Sequence, residues 1–472
     1  MRLGPGVTIP RQNGFNRRPV RAWLVRMCAA IFSILAACAS VSGQDRDLER
    51  RVDNYLAPYV KGNNFIGGVL VAEGDRVLVK RAYGEASYEL HVPNSAATRF
   101  HIASVSKPFT AVAILILEQR GLVRLSDPVS RFLPDFPNGQ KITLEHLLTH
   151  TSGIANVNNF PEYATASRFP QTPASLIELF KSKPLGFEPG TKFEYSNSNY
   201  NILALVIEQV SHKPYGEFLK EAIFVPAGLR DTGHDGDASL VIANAASGYQ
   251  PKGVAGLERA PFLDWSAKTG NGSLYSTTED LLKFLRAYRQ GKLLPRQKVD
   301  ELWVERPGHN YGWFVRKRHG LTAVASNGRS PGFTSSIEYY PEKDLTVIVL
   351  SNSYSPVSQS PVAEDLAALA LGEKDVQTPA IAPVEVDAGN LERLAGAYQF
   401  DEKFFRPHAK VSIRVEGAEL LLDWGGGTRS DLLPVAPNEF IDRQFWSRLV
   451  FDESAGGFKY SGAFAAKRVE AK

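Results

Sequence analysis

Ser104 stands three residues before Lys107 in the stretch FHIASVSKPF, and the apolar run AVAILIL, Ala111 to Leu117, follows closely. An amine beside so apolar a run loses water, and desolvation disfavours its charged form. Residues three apart share one face of a helix, so Ser104 and Lys107 are expected side by side. A neutral amine there can take the hydroxyl proton and turn the serine into a nucleophile, with no histidine required. A second polar pair, Tyr195 and Asn197, opens the apolar helical stretch NYNILALVIEQV. Its phenol can relay a proton, and its amide can hold a substrate carbonyl or the lysine.

Around these pairs, five segments follow one another along the chain: FHIASVSKPFTAVAILILEQRGLVRLSDPVSRFLPDF, ITLEHLLTHTSGI, PGTKFEYSNSNYNILALVIEQVS, GNGSLYSTTEDLLKF and SPGFTSSIEYYPEKDLTVIVLSN. In these segments the chain resembles the serine β-lactamase and penicillin-binding-protein family, specifically the branch of class C β-lactamases, D-aminopeptidases and related esterases. The resemblance covers most of residues 50–372. It implies Ser104 as the acyl-accepting nucleophile, Lys107 as its activating partner, Tyr195 as general base and acid, and Asn197 as a substrate or lysine anchor. The implied reaction passes through an acyl-enzyme that water releases.

The family's third motif, Lys-Thr-Gly or His-x-Gly, lies on the strand edging the site, just ahead of the final hairpin. Lys268-Thr269-Gly270 has the right letters but precedes a loop-to-helix segment. Counting back from Pro331-Gly332-Phe333 places the equivalent positions at Ser326-Asn327-Gly328, with serine where the cation belongs. A lysine there would bind a substrate carboxylate by charge-assisted hydrogen bonds, about twice as strong as neutral ones. Ser326 offers only a hydroxyl, so the expected substrate is a small-molecule or peptide acyl compound without that charge, with Arg329 as a substitute cation. Gly328 permits close backbone approach, and by resemblance the oxyanion hole combines the backbone N–H groups of Ser104 and Arg329. The expected activity is an esterase or amidase/peptidase with weak or no β-lactamase activity. The alternatives are a non-catalytic binding or scaffold protein that keeps the fold, and a DD-peptidase acting on peptidoglycan.

His146 and His150 in EHLLTH stand one helical turn apart, a zinc-compatible spacing, but Glu145 precedes the pair and no third ligand is near in sequence. By the same resemblance, His150 is instead expected to hold the THTSG turn by hydrogen bonds. There is no P-loop or dinucleotide-binding glycine pattern, so no nucleotide cofactor is expected. No cofactor or metal is assigned. Trp265, Tyr275 and Phe333 are candidate pocket-lining rings.

The elements that must position these groups form an α+β pattern. GGVLVAEGDRVLVKRAYG reads as a hairpin turning at Glu73-Gly74-Asp75, and SSIEYYPEKDLTVIVLSN as a second, turning at Pro341 to Asp344. LERRVDNYLAPYV reads as a helix, and SPVAEDLAALALG, Ser360 to Gly372, as a closing helix with Pro361 in its first turn. One antiparallel sheet closed by both ends of a domain and flanked by helices is expected over 44–372. Residues 373–390 read as a Pro-rich linker. Residues 391–472 then carry seven short β-rich segments, a small all-β module resembling a lipocalin-like barrel.

Up to Arg26 the chain carries six arginines and no acidic residue, and MCAAIFSILAACASVSG follows, ending at Gly43. That pattern reads as an export signal. Leu35-Ala36-Ala37-Cys38 has the form of a lipoprotein box, with Cys38 as a candidate lipid anchor, while Val41-Ser42-Gly43 fits ordinary cleavage before Gln44; both readings stand. Without 1–43 the formal charge falls from +4 to −2, so no basic balance remains to argue for nucleic acid. Cys28 and Cys38, the two cysteines, both lie in this segment, so disulfides and thiol catalysis are not expected beyond it. The expected location is periplasmic or secreted, or tethered to a membrane through Cys38.

Overall fold

The computed structural model describes Gly4, Gly6 and residues 45–472, apart from 254–255, 306–307, 359, 378–380, 382, 426–427, 453, 455 and 471–472. The expected signal over 1–43, with Cys28 and Cys38, lies outside the described residues but for Gly4 and Gly6.

Six strands form the central sheet: β1 (Gly67–Glu73), β2 (Arg76–Tyr83), β3 (Phe314–Arg318), β4 (Leu321–Ser330), β5 (Phe333–Tyr340) and β6 (Leu345–Ser351), in the spatial order β3-β4-β5-β6-β1-β2. All neighbours are antiparallel. β1 and β6 pair with Val71 opposite Val347, so strands from the two ends of this region meet in the middle of the sheet. Their sequences, GGVLVA and LTVIVLS, are buried throughout, which explains continuous apolar runs in place of alternation. The β1–β2 turn needs a residue with positive φ, and Gly74, at φ 55°, supplies it. Both hairpins foreseen in the sequence are present. The pair β3 and β4 completes the sheet, and its mixed sequence, FVRKR and LTAVASNGRS, gave less period-2 signal.

Four longer helices serve the site: α1 (Lys107–Gln119), α2 (Asn197–Ser211), α3 (Thr278–Arg289) and α4 (Pro361–Ala370). Residues 51–61 are helical as well. α1 packs against α2, and α3 and α4 pack on β6 and β1. In α1 every residue from Lys107 to Leu117 is buried, so this is a core helix whose burial includes its one amine. α3 begins where the Thr277 hydroxyl accepts the Asp280 N–H at 3.2 Å. Its acids, Glu279 and Asp280, sit in the first turn and its arginines, Arg286 and Arg289, in the last, matching the helix dipole.

The C-terminal strands are β7 (Gly396–Phe400), β8 (Lys410–Glu416), β9 (Glu419–Asp423), β10 (Arg429–Ala436), β11 (Glu439–Asp442), β12 (Ser447–Asp452), β13 (Gly457–Tyr460) and β14 (Phe464–Val469), and they close into a barrel. The last expected segment, FKYSGAF, splits at its turn, and β14 continues through polar Lys467 and Arg468 because it closes the ring by pairing with both β13 and β7. Tyr398, Phe400, Phe404, Trp424, Phe440, Phe451, Phe458 and Tyr460 belong to one buried cluster. A helix over Ala388–Leu394 occupies the end of the stretch read as linker, started by Asp387, whose carboxylate accepts the Asn390 N–H at 3.0 Å.

One charge cluster tests the sheet. Glu338 on β5 is fully buried; it is paired with Arg318 and accepts the Tyr340 hydroxyl at 2.7 Å. Arg318→Met leaves this carboxylate buried without its cation, and a loss of about 3–5 kcal/mol in urea unfolding is expected.

Candidate active site

The residue before Ser104 sets the local geometry. Ala103 lies at φ 45°, a left-handed conformation that costs a non-glycine residue of order 1–3 kcal/mol and persists only where the surroundings over-determine it. Here they do. The Ile102 N–H donates to Leu274 O at 2.9 Å, the Ser335 hydroxyl donates to Ile102 O at 2.7 Å, and the Leu274 N–H donates to the Ser106 hydroxyl at 3.1 Å. Residues Ala103–Ser106 then form a single 3₁₀ turn, and α1 starts at Lys107. The expected helical pairing is thus achieved by a tighter turn in which positions i and i+3 eclipse. Lys107 Nζ lies 3.0 Å from Ser104 Oγ.

Lys107 is fully buried. Its Nζ donates to Asn197 Oδ1 at 2.9 Å and to Asn271 O at 2.8 Å. Those two partners are acceptors only, so a neutral amine spends both its N–H bonds on them and aims its lone pair at the Ser104 hydroxyl. Burial pushes the Lys107 amine well below the ordinary lysine range, and repulsion from Lys268 pushes in the same direction. Lys268 is itself buried, its ammonium 5.3 Å from the Tyr163 ring centre, and burial brings it down to about 8. Lys268 O accepts the Asn271 N–H at 2.9 Å, so one short turn holds both the second lysine and the carbonyl that orients the first. The Lys268-Thr269-Gly270 triplet therefore lies in that turn, and the segment edging Ser104 is Ser326–Arg329.

Tyr195 and Asn197 arrive at the start of α2. The Tyr195 hydroxyl donates to Ser104 Oγ at 2.8 Å. Burial pushes the phenol pKa up, so it stands protonated as a donor. Asn197 is locked from both sides: its N–H donates to Asn156 Oδ1 at 3.2 Å and its Nδ2 to Asn158 Oδ1 at 2.7 Å. Between them the Ser196 N–H donates to His150 Nδ1 at 3.1 Å, and the Tyr195 ring lies 4.5 Å from the His150 ring. His150 thus supports the Tyr195–Asn197 segment; its ring bonds run to Ser196 and Asn199 and not to the THTSG turn it was expected to hold. Burial, with repulsion from His309 and Lys107, holds it well below the usual histidine range. His146 instead caps its helix, Nδ1 accepting the Thr143 N–H at 3.3 Å.

The fourth side comes from β4. β3 pairs with β4 only as far as Ala325, so Ser326–Ser330 are laddered on one side only, to β5. This half-paired end runs against the Ser104 turn. A Cβ on Gly328 would meet Ile102 O at 2.5 Å and Ser104 N at 2.8 Å, which no side chain tolerates. The Arg329 guanidinium, expected as a substitute cation, is engaged away from the serine: Nη2 donates to Gln444 O at 3.1 Å, and the group lies 4.2 Å from the Tyr354 ring centre.

These pieces enclose a cavity of about 360 Å³ lined by Ser104, Tyr195 and Asn197, by Ser326, Asn327 and Arg329, and by Phe193, His309 and Phe314. Its size suits a small ligand. The last three residues were not singled out from sequence; they sit in loops or at a strand start, where periodicity is silent. His309 is held by the Gly312 N–H, donated to Nδ1 at 3.3 Å, and burial with the nearby Lys107 brings it to about 3, a neutral wall. The three rings expected to line the pocket lie elsewhere. Trp265 stacks on His101 at 3.7 Å with Phe333 edge-on beside it, and Tyr275 lines a different cavity of about 740 Å³ that contains none of the four polar groups.

Two outcomes follow from this geometry. Gly328→Ala forces β4 off the Ser104 turn, and the rate at which a fluorophosphonate labels Ser104 should fall by about 10²-fold, as for ångström-scale misplacement, while far-UV circular dichroism stays native. Lys268→Met removes the repulsion that helps keep Lys107 neutral, so the rising limb of the labelling rate against pH should move to higher pH.

Comparison with known proteins agrees with this architecture. Residues 52–372 match the family model described as Beta-lactamase. The Bacillus subtilis (strain 168) protein named "Putative penicillin-binding protein PbpX" is 32% identical over 307 residues, covering 65% of this chain and 74% of that protein. The crystal structure of a D-stereospecific amidohydrolase from Streptomyces sp. is similar with a TM-score of 0.58 at 25% identity, covering 71% of this chain and 99% of that one. The octameric penicillin-binding protein homologue from Pyrococcus abyssi shares the fold over 90% of this chain and 96% of its own, with a TM-score of 0.60 at 24% identity. With the family model spanning most of the chain and the polar groups in place around Ser104, this protein belongs to the Beta-lactamase family.

Proposed function

We propose that the chain is an exported serine hydrolase that cleaves esters or amides of uncharged small acyl groups through an acyl-enzyme on Ser104, with weak or no β-lactamase activity. The observation that carries the reading is the contact of Ser104 Oγ with both Lys107 Nζ and the Tyr195 hydroxyl, 3.0 and 2.8 Å away, on the wall of a small cavity. Lys107, neutral through desolvation, takes the Ser104 proton as Oγ bonds to the acyl carbon. The carbonyl oxygen becomes an oxyanion facing the backbone N–H groups of Ser104 and Arg329. Tyr195, which rests as a protonated donor, passes a proton to the departing alkoxide or amine and recovers one from Lys107. Water then attacks the acyl carbon as its proton passes through Tyr195 to the neutral Lys107, the bond from the acyl carbon to Ser104 Oγ breaks, and Lys107 returns the proton to Ser104. In this reading Tyr195 is the acid and relay, and the first base is the lysine.

Substrate choice follows from Ser326. Among the described residues no free cation stands where the family binds a carboxylate: Ser326 is neutral and Arg329 is engaged with Gln444 and Tyr354. The amidohydrolase likeness supports amides as well as esters.

Intact mass after exposure to a fluorophosphonate and to penicillin tests the reading. The expected result is one phosphonyl adduct that Ser104→Ala and Lys107→Ala abolish, no penicilloyl adduct, and faster turnover of a p-nitrophenyl ester than of a chromogenic cephalosporin. A stable penicilloyl adduct would favour a DD-peptidase. No adduct at all would favour a scaffold.

A further inference from the structure

The C-terminal barrel reaches the active site through one hairpin. Between β11 and β12 the chain turns over residues 443–446, and this turn is rigid from within. Asp442, fully buried, accepts the N–H groups of Gln444 at 2.8 Å and Phe445 at 3.2 Å and the Tyr460 hydroxyl at 2.8 Å. It is also fastened from without. Arg443, 4% exposed, donates to Asn64 Oδ1 at 2.9 Å, to Gly62 O at 2.7 Å and to Gly253 O, and the Trp446 ring packs 5.5 Å from Tyr59. With the Asp431 and Glu419 carboxylates near enough to favour its charge, this one buried cation ties the turn to two other stretches of the chain.

The fastened turn presents Gln444 O to Arg329 Nη2 at 3.1 Å. Arg329 follows Gly328, the residue pressed against Ser104 N, in the stretch of β4 that has lost its β3 partner. One edge of that stretch is therefore open, and the guanidinium bridge from Gln444 O to the Tyr354 ring restrains it from the side-chain direction.

We propose that the 443–446 turn is a positioning element of the active site: Arg443 latches the barrel, and the Gln444 carbonyl, through Arg329, holds the oxyanion strand at the distance from Ser104 that acyl transfer needs. The inference rests on the hydrolase reading above. Arg329 and Arg443 act through the backbone of β4, so their removal lowers the chemical step and leaves ground-state binding in place.

The test is steady-state hydrolysis of a p-nitrophenyl ester by the full chain, with the rate of fluorophosphonate labelling measured alongside. Arg329→Met and Arg443→Met should each lower kcat by about tenfold or more, within the range for misplaced catalytic groups, with KM changed less than about twofold. The double variant should be no slower than the worse single one, because both break one linkage. Arg329→Lys, which keeps a donor for Gln444 O, should recover part of the rate. Unchanged kcat in Arg329→Met, a rise in KM alone, or losses that multiply in the double variant would overturn the proposal. Arg329→Met decides the matter even if Arg443→Met fails to fold. If the unmodified chain is not labelled at Ser104, the hydrolase reading falls and takes this inference with it; labelling of the unmodified chain with unaffected variants removes this inference alone.

Discussion

The site depends on an amine kept out of water with only neutral hydrogen-bond partners among the described residues. Lys107 is fully buried, and its partners are a hydroxyl, a side-chain amide oxygen and a backbone carbonyl. A carboxylate in any of those places would stabilise the ammonium and remove the base. Neutral acceptors with a second lysine nearby do the reverse. The surrounding structure serves that balance. α1 supplies the apolar burial, the 268–271 turn supplies both the repelling charge and one acceptor, and Asn156 and Asn158 lock the amide that supplies the other. Tyr195, on the cavity wall, and His150 behind it are pushed to their neutral forms by desolvation.

Around that amine the structure concentrates its strain and its close approaches. Ala103 is held in a left-handed conformation so that Ser104 turns out toward the cavity, and Gly328 allows a strand to come nearer to the Ser104 N–H than any side chain would permit. The strand that makes this approach is laddered on one side only. Half-pairing leaves backbone groups open toward the substrate, and it also leaves the strand in need of support, which the barrel turn at Arg443 and Gln444 is placed to give.

Much of this was legible in the amino-acid sequence because the chemistry sits at the ends of strongly patterned elements. Ser104 and Lys107 precede a long apolar helix, Tyr195 and Asn197 open another, and the two hairpins that frame the sheet have clear turn residues, so fold class and polar constellation could be read together. The third motif was readable only by position: Lys268-Thr269-Gly270 offered the letters, and the distance to the final hairpin pointed to Ser326–Gly328. What escaped was set by tertiary packing. Phe193, His309 and Phe314 come from irregular stretches with no period. Trp265, Tyr275 and Phe333 were natural choices as pocket rings, but an aromatic residue type says nothing about which way the ring faces. The eighth barrel strand carries lysine and arginine outward, and only ring closure reveals it.

The most direct measurement is a titration of the Lys107 amine itself, by NMR of selectively labelled lysine with Lys107→Met used for assignment. A signal that titrates well below the roughly 10.4 of a free lysine is the predicted result. A Lys107 signal that remains protonated up to that ordinary value would contradict the account, since the amine would then have no proton vacancy to offer Ser104.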